Sequence, residues 1–149
     1  MRVPIIAGNW KMHKDVQEAI SFIEKIKNQL PPADQLETAI AAPTLCLVPM
    51  VKAAKESPLK IMAENCYYKN EGAYTGETSP YALYQAGIHH VILGHSERRT
   101  YFNETDELIN KKVKAALVNG LCPIVCCDDT MRRRVAGKKV HWVVSRILA

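Results

Sequence analysis

Apolar positions along the chain follow two patterns, short continuous runs and longer stretches in which apolar residues recur at helical spacing. The short runs predict strands and the periodic stretches predict helices. The first run is typical of a strand buried on both faces. Strands are predicted at residues 5–10, 37–42, 59–63, 89–93 and 121–127, and helices at residues 16–30, 46–56, 80–86, 106–119 and 138–149.

Capping and helix-breaking residues mark several of these ends. The prolines at residues 31–32 are predicted to stop the first helix, and Ser79 to cap the short third helix. Thr105 and Gly120 bound the next helix. Its predicted buried stripe is Leu108, Ile109, Val113, Ala116 and Leu117. Residues 65–79 have no apolar period and predict a long loop, which at that length is usually functional or disordered.

The alternation of strand and helix signals predicts an α/β fold with a parallel sheet covered by helices. Two architectures fit, an open doubly wound sheet or part of a (β/α)8 barrel. The first strand leads into Gly8, Asn9, Trp10 and Lys11 without G-x-G-x-x-G spacing, which disfavours dinucleotide binding. At 149 residues the chain is predicted to form one domain.

Composition narrows the classes of function. Hydrophobic residues make up 48% and charged residues 23% of the chain, as in an ordinary globular protein. No apolar run approaches the roughly 18 residues of a membrane span, and the N-terminus lacks the features of a signal peptide. The five cysteines, an odd number in apolar stretches, predict reduced, buried thiols. We therefore expect a cytoplasmic protein with no membrane partner.

The net charge of +5 is concentrated in residues 131–149, which contain six basic and no acidic residues. A short basic tail with a lone Trp142 lacks the basic face and stacking side chains of a nucleic-acid site. We expect no nucleic-acid partner.

Polar residues follow two of the predicted strands, at the carboxyl ends where parallel α/β proteins bind ligands. Asn9 and Lys11 end the first strand, and Gly94 and His95 end the fourth at a predicted helix start. A helix N-terminus disfavours a cation, which predicts a neutral imidazole able to donate to a carbonyl oxygen. Lys11 would attract a phosphate or stabilise a developing enediolate.

Two interpretations are open for Glu97. It would orient Lys11 or shuttle protons, or it would be a helix-start carboxylate paired with Arg98 or Arg99. The other histidines are interpreted as packing or hydrogen-bonding residues.

Three segments resemble the triose-phosphate isomerase family in their order and separation. The resemblance is close from about residue 2 to residue 126 and is carried by residues 7–12 (AGNWKM), 72–77 (GAYTGE) and 94–99 (GHSERR). It implies a (β/α)8 barrel, of which residues 1–149 would be a single incomplete domain with about the first five strands and their helices.

The resemblance also implies the glycolytic and gluconeogenic interconversion of dihydroxyacetone phosphate and glyceraldehyde 3-phosphate, without metal or organic cofactor. Asn9 and Lys11 would bind substrate, His95 would polarise the carbonyl and Glu97 would support proton transfer. In this family the neutral histidine at a helix N-terminus is established as the electrophile, so the role given to His95 is taken from the family.

A homodimer is implied as well, in which one loop docks beside the active site of the neighbouring subunit. The residues of this subunit-interface loop are Thr75, Gly76 and Glu77.

The resemblance weakens after the fifth strand. The family usually reads Cys, an aliphatic residue, Gly, Glu and Thr there, whereas residues 126–130 read CCDDT and arginines occupy residues 132–134. The vicinal cysteines and aspartates suggest a metal site, but no second cluster with zinc-like spacing supplies the remaining ligands.

The family's general-base glutamate and its phosphate-binding loops belong to strands six to eight. We therefore expect residues 1–149 by themselves to have little isomerase activity. We also expect self-association through loop 65–79 and through the open sheet edges. Two other interpretations remain. The chain would be a truncated, non-catalytic relative that acts as a structural or interaction protein, or its divergent tail would have no selected role.

Overall fold

The computed structural model describes residues 3–127, which fold into alternating strands and helices. The predicted helix at 138–149 and the basic tail lie outside the described residues. The strands are β1 Ile5–Asn9, β2 Glu37–Ala42, β3 Lys60–Ala63, β4 His90–Leu93 and β5 Cys122–Val125. The helices are α1 Val16–Ile26, α2 Thr44–Ala53, α3 Pro80–Gln85, α4 Ser96–Tyr101 and α5 Asp106–Val118.

The strands form one parallel sheet in the order β1-β2-β3-β4-β5. Each strand is added beside the preceding one without a reversal of direction along the sheet. A doubly wound sheet reverses its strand order at a switch point, so this order belongs to a barrel. The prediction of part of a (β/α)8 barrel is confirmed, since the five strands and their helices form a curled partial barrel.

Side-chain caps begin four of the helices, and those of α1, α3 and α5 come from Asp15, Ser79 and Thr105. In α1, the Asp15 carboxylate accepts from the Glu18 N–H at 2.8 Å, and the Glu18 carboxylate accepts from the Asp15 N–H at 3.0 Å. Ser79 and Thr105 cap α3 and α5 through their hydroxyl oxygens, as predicted. These polar contacts supply acceptors for N–H groups that a helix N-terminus leaves unpaired.

Two helices end three or four residues earlier than predicted. The helix α1 ends at Ile26, and the N–H of Gln29 donates to the carbonyl of Ile26 at 2.8 Å in a tighter turn. The proline at residue 31 also disfavours helical geometry at residue 30. The helix α2 ends at Ala53, and Glu56, predicted to be helical, has a φ of +66° that no right-handed helix accommodates.

The main hydrophobic core lies between the sheet and its helices. Its fully buried members include Ala19, Ile23, Leu47, Met50, Ile88, Val91 and Leu93. A smaller cluster of Ala39, Ala41, Met62 and Ile92 covers the opposite face, which is the inner face of the partial barrel. This two-sided burial explains why the central strands read as continuous apolar runs.

The prediction that the first strand is buried on both faces is wrong for the described structure. The strand β1 is an edge of the sheet, and Ile5 and Ile6 are 42% and 64% exposed. Register places Ile5 on the inner face beside Glu37, and Ile6 on the helix face beside Thr38. The apolar run is that of an interior strand, but its second neighbour does not lie among residues 3–127.

The predicted buried stripe of α5 is only partly confirmed, because Leu108 and Val113 are half-buried and Leu117 is exposed. The side chains that α5 buries are Ile109, Lys112 and Ala116, whereas Leu117 is 58% exposed. Each residue turns a helix by about 100°, so Leu117 lies to one side of the row that faces the sheet. A lysine occupies the buried row.

The cysteines are free, but they are not uniformly buried as predicted. Cys46 and Cys66 lie in the core, whereas Cys122 is exposed because it lies on the edge strand β5. Cys126 and Cys127 are half-buried. Among the residues described, no helix combines the length and the apolar character that crossing a membrane requires.

Candidate active site

The carboxyl ends of β1, β3 and β4 meet at one edge of the sheet and surround a cavity of about 520 Å³. The parallel order brings together residues that are more than eighty positions apart in sequence, such as Asn9 and His95. The lining residues include Asn9, Lys11, Glu64, Asn65, Thr75, Gly76, Glu77, His95, Glu97 and Arg98. All the residues proposed from sequence for the site therefore line a single cavity.

Lys11 has a φ of +56°, in the left-handed region that non-glycine residues rarely adopt. The side-chain oxygen of Asn9 accepts a hydrogen bond from the Lys11 N–H at 3.0 Å and supports this conformation. The Lys11 Nζ lies 2.7 Å from Glu97 Oε1. Backbone strain of this kind is found where a site must hold a side chain in one direction.

His95 is the N-cap residue of α4, and its side chain faces the cavity. Its Nδ1 lies 3.3 Å from the Glu97 N–H and 3.4 Å from Glu97 Oε2. The backbone N–H has a fixed hydrogen, so Nδ1 can accept that bond only when it carries no proton. In the tautomer that matches this bond the proton is on Nε2, which can donate to a ligand.

The ion pairs around Glu97 distinguish between the two interpretations of its role. Glu97 pairs with Lys11, as one interpretation required. Arg98 Nε lies 2.6 Å from Glu104 Oε1, and Arg99 Nη1 lies 2.5 Å from Asp106 Oδ1. Glu97 therefore connects the end of β1 to the start of α4.

Gly94 makes the turn from β4 into α4. Its φ is +73°, and a Cβ atom there would lie 3.0 Å from Arg99 Nη2 and 3.1 Å from Ile109 Cδ1. Arg99 Nε donates to the Gly94 carbonyl at 2.7 Å. The close backbone approach expected at this glycine is therefore present, and it positions His95 at the cavity.

Glu64 is a cavity residue that the sequence analysis missed. Its pKa is raised to about 7, chiefly because burial disfavours the charged carboxylate. The N–H of Lys11 acts in the opposite direction, and the charge of Glu97 raises the pKa. Glu64 Oε1 is buried without a hydrogen-bond partner among the described residues. A charged residue directly after an apolar strand was the signal that could have identified it.

The loop at residues 65–79 is ordered by its own contacts. Tyr67 donates its N–H to the Thr78 carbonyl at 2.8 Å, and the Tyr67 and Tyr74 rings lie 4.8 Å apart. The tip of the loop, residues 71–77, is exposed, and Thr75 at that tip lies at the rim of the chain's own cavity. The loop therefore presents a defined, solvent-facing surface next to the site.

A metal centre has no support within residues 3–127, where no group of three or more His, Cys, Asp or Glu side chains could hold an ion. The suggested cluster at residues 126–129 extends past the described part of the chain. The cavity offers the ammonium group of Lys11, the guanidinium group of Arg98, the imidazole of His95 and three carboxyl groups, those of Glu64, Glu77 and Glu97.

Comparisons with known proteins agree on one family. The family model described as triosephosphate isomerase matches residues 4–149. The triosephosphate isomerase of Lactiplantibacillus plantarum is 54% identical over 149 residues, which is 100% of this chain and 59% of that protein. The triosephosphate isomerase of Streptococcus pyogenes serotype M5 is 53% identical over 148 residues, 99% of this chain and 59% of that protein.

A solved structure has the same fold. The crystal structure of triosephosphate isomerase from Bartonella henselae superposes with a TM-score of 0.89 at 32% sequence identity, and the match covers 97% of this chain and 60% of that one. The chain therefore spans about three fifths of the length of these relatives.

Proposed function

Because the chain belongs to the triosephosphate isomerase family, we propose that it binds a triose phosphate and polarises its carbonyl group during aldose–ketose isomerisation. The reaction would interconvert dihydroxyacetone phosphate and glyceraldehyde 3-phosphate through an enediolate, as part of glycolysis and gluconeogenesis. It requires neither a metal nor an organic cofactor.

The observation that carries this proposal is that Lys11 and His95 line one cavity and both contact the carboxylate of Glu97. The Nε2–H of His95 would donate to the substrate carbonyl oxygen, where negative charge develops in the enediolate. Lys11 supplies a fixed positive charge for that oxygen or for the phosphate, and Asn9 maintains the backbone that presents it. Glu97 orients both groups and would support proton transfer between substrate atoms.

Removal of the substrate proton needs a carboxylate at the reacting carbon, which in this family is a glutamate after strand six. General-base catalysis contributes about 10²–10⁴-fold to a rate. We therefore propose that residues 1–149, assayed alone, bind substrate but convert it slowly. Glu64 is not assigned this role, because its carboxyl group is held against the backbone of Lys11.

We further propose that the complete protein is a cytoplasmic homodimer. The loop tip at Thr75, Gly76 and Glu77 supports this, since it faces solvent and its base is held by the Tyr67–Thr78 hydrogen bond and the Tyr67–Tyr74 ring contact. A second candidate function, that of a non-catalytic interaction protein, is favoured only by the exposed apolar side chains of the edge strand β1.

The proposal is tested by titrating the purified 149-residue chain with dihydroxyacetone phosphate and following the His95 imidazole by NMR. Lys11→Met is expected to weaken binding by at least roughly tenfold, because it removes a charge-assisted contact. The control Lys25→Met changes an exposed lysine on α1 and is expected to leave the affinity unchanged. Equal affinity in wild type and Lys11→Met would contradict the proposed site.

Turnover is measured in the same preparation with a coupled assay. We expect a rate at least about 10²-fold below that of a complete relative. A rate comparable to that of the Lactiplantibacillus plantarum enzyme would show that this chain supplies its own base.

A further inference from the structure

A charged side chain lies in the core of the molecule, outside the cavity. Lys112 is 1% exposed on the buried row of α5. A buried ammonium group is costly unless it is paired and hydrogen-bonded. Its two partners are Glu104 Oε1, 2.5 Å from Nζ, and the side-chain oxygen of Asn65, at 2.9 Å.

The partners of Lys112 connect it to two different walls of the candidate site. Asn65 directly follows Glu64 and lines the cavity at the end of β3. Glu104 accepts from Arg98 Nε at 2.6 Å, and Arg98 is a cavity residue on α4, the helix that His95 caps. One ammonium group therefore joins the segment after β3 to the helix that carries His95 and Glu97.

Attraction between opposite charges holds this buried network together. It contains two cations, Lys112 and Arg98, and one anion, Glu104, whose side chain is 2% exposed. Burial by itself raises the pKa of Glu104, but hydrogen bonds from Lys112 and Arg98 outweigh that effect and leave the pKa below its usual value. The carboxylate therefore stays ionised and holds both cations.

We infer that Lys112 is a positioning residue of the candidate site, which sets the place of α4 and of residues 64–65 without touching substrate. The choice of ligand in this inference rests on the proposed function, whereas the geometry of the network does not. Displacement of α4 would weaken the hydrogen bond between the Glu97 N–H and His95 Nδ1, and that bond selects the imidazole tautomer. Loss of Lys112 therefore changes the protonated nitrogen of His95 as well as ligand affinity.

The test compares wild type, Lys112→Met and Lys114→Met in the 149-residue chain labelled with ¹⁵N-histidine. Lys114 is an exposed lysine on the same helix and serves as the matched control. In Lys112→Met, the two His95 nitrogen shifts are expected to move toward each other, which is the signature of mixed tautomers. The dissociation constant for dihydroxyacetone phosphate is expected to rise roughly tenfold. Lys114→Met is expected to match wild type in both measurements.

Folding is monitored by circular dichroism, because removing one partner of a buried ion pair destabilises proteins. If Lys112→Met is unfolded, Lys112→Arg keeps the charge for Glu104, but its planar head group cannot reproduce the contact with Asn65. A folded Lys112→Arg with altered His95 nitrogen shifts would support the inference. Wild-type shifts in a folded variant, or unfolding of both variants, would overturn it, since Lys112 would then serve only the fold.

The experiment tests the two proposals independently of each other. If wild type does not bind dihydroxyacetone phosphate, the proposed function fails, while the ligand-free His95 shifts still decide the role of Lys112.

Discussion

At the scale of single residues, Glu64 lies in an environment that favours its protonated form. Its folded-state pKa of about 7 lies above the value near 4.3 of an unperturbed glutamate. The folded protein therefore binds a proton between about pH 4.3 and pH 7 that the unfolded chain has released. The stability linked to this group is complete below pH ~4.3 and is lost as the pH rises through about 7.

Glu64→Gln is expected to remove this pH dependence, because a neutral amide replaces the carboxyl group. At about pH 8 the free energy of unfolding is expected to rise by about 1–2 kcal/mol, and near pH 4 it should stay within about 0.5 kcal/mol of wild type. Urea denaturation followed by circular dichroism at both pH values measures the change.

Glu71→Gln is the control for this experiment, since Glu71 is an exposed carboxylate on the loop at residues 65–79. Its stability is expected to follow wild type at each pH. A Glu64→Gln variant with the wild-type pH dependence would mean that Glu64 is ionised in the folded protein.

At the scale of elements, the junction of β4 and α4 decides where His95 points. A left-handed glycine ends the strand, and the capping histidine starts the helix one residue later. The space around Gly94 is filled by Arg99, Ile109 and the carbonyl of Cys126, which lies 3.3 Å from the Cβ position. The turn is therefore constrained by both conformation and packing.

Gly94→Ala is expected to lower the free energy of unfolding by about 2–4 kcal/mol, because the new methyl group meets strain and close contacts together. Gly76→Ala isolates the strain, since Gly76 has a φ of +91° and nothing lies within 4 Å of its Cβ position. Its cost is expected to be about 1 kcal/mol. Equal costs for the two variants would show that packing around Gly94 contributes nothing.

At the scale of the whole molecule, the described sheet has two edges. The strands β1 and β5 each lack a second neighbour among residues 3–127, and Ile6 and Val125 expose 64% and 42% of their surface. Unpaired edges and exposed apolar side chains favour association between chains. Self-association of the 149-residue chain remains a prediction at this scale.

Ile6→Lys is expected to shift the chain toward monomer, because a lysine on an edge strand opposes pairing with another edge. Sedimentation velocity at micromolar concentration measures the distribution. Val118→Lys is the matched control, because Val118 is 85% exposed at the end of α5 and belongs to no sheet edge. A wild-type chain that sediments as a compact monomer would contradict the expectation.

The elements and most of the site residues could be predicted because their signals are local. The capping oxygens of Ser79 and Thr105 act within three residues, and apolar runs identify strands wherever they pair. Asn9, Lys11 and His95 were recognisable because each lies at the carboxyl end of a predicted strand. Their arrangement around one cavity follows from the common direction of parallel strands.

Other features depend on neighbours that are distant in the sequence. The same apolar pattern suits an interior strand or the exposed β1, because burial requires a second strand beside it. The raised pKa of Glu64 depends on burial, on Lys11 and on Glu97, which come from three separate segments.

Local patterns along this chain were therefore sufficient for its α/β class, for the starts of α1, α3 and α5, and for the polar side chains at its strand ends. The strand order, the exposure of Leu117 and the burial of Lys112 were decided by tertiary structure alone. From its helical position alone, a lysine is predicted to face solvent. The burial of Lys112 depends on Asn65 and Glu104, which are 47 and 8 residues away in the sequence. Burial and charge pairing are properties of assembled neighbours, and they appear only when the sheet has formed.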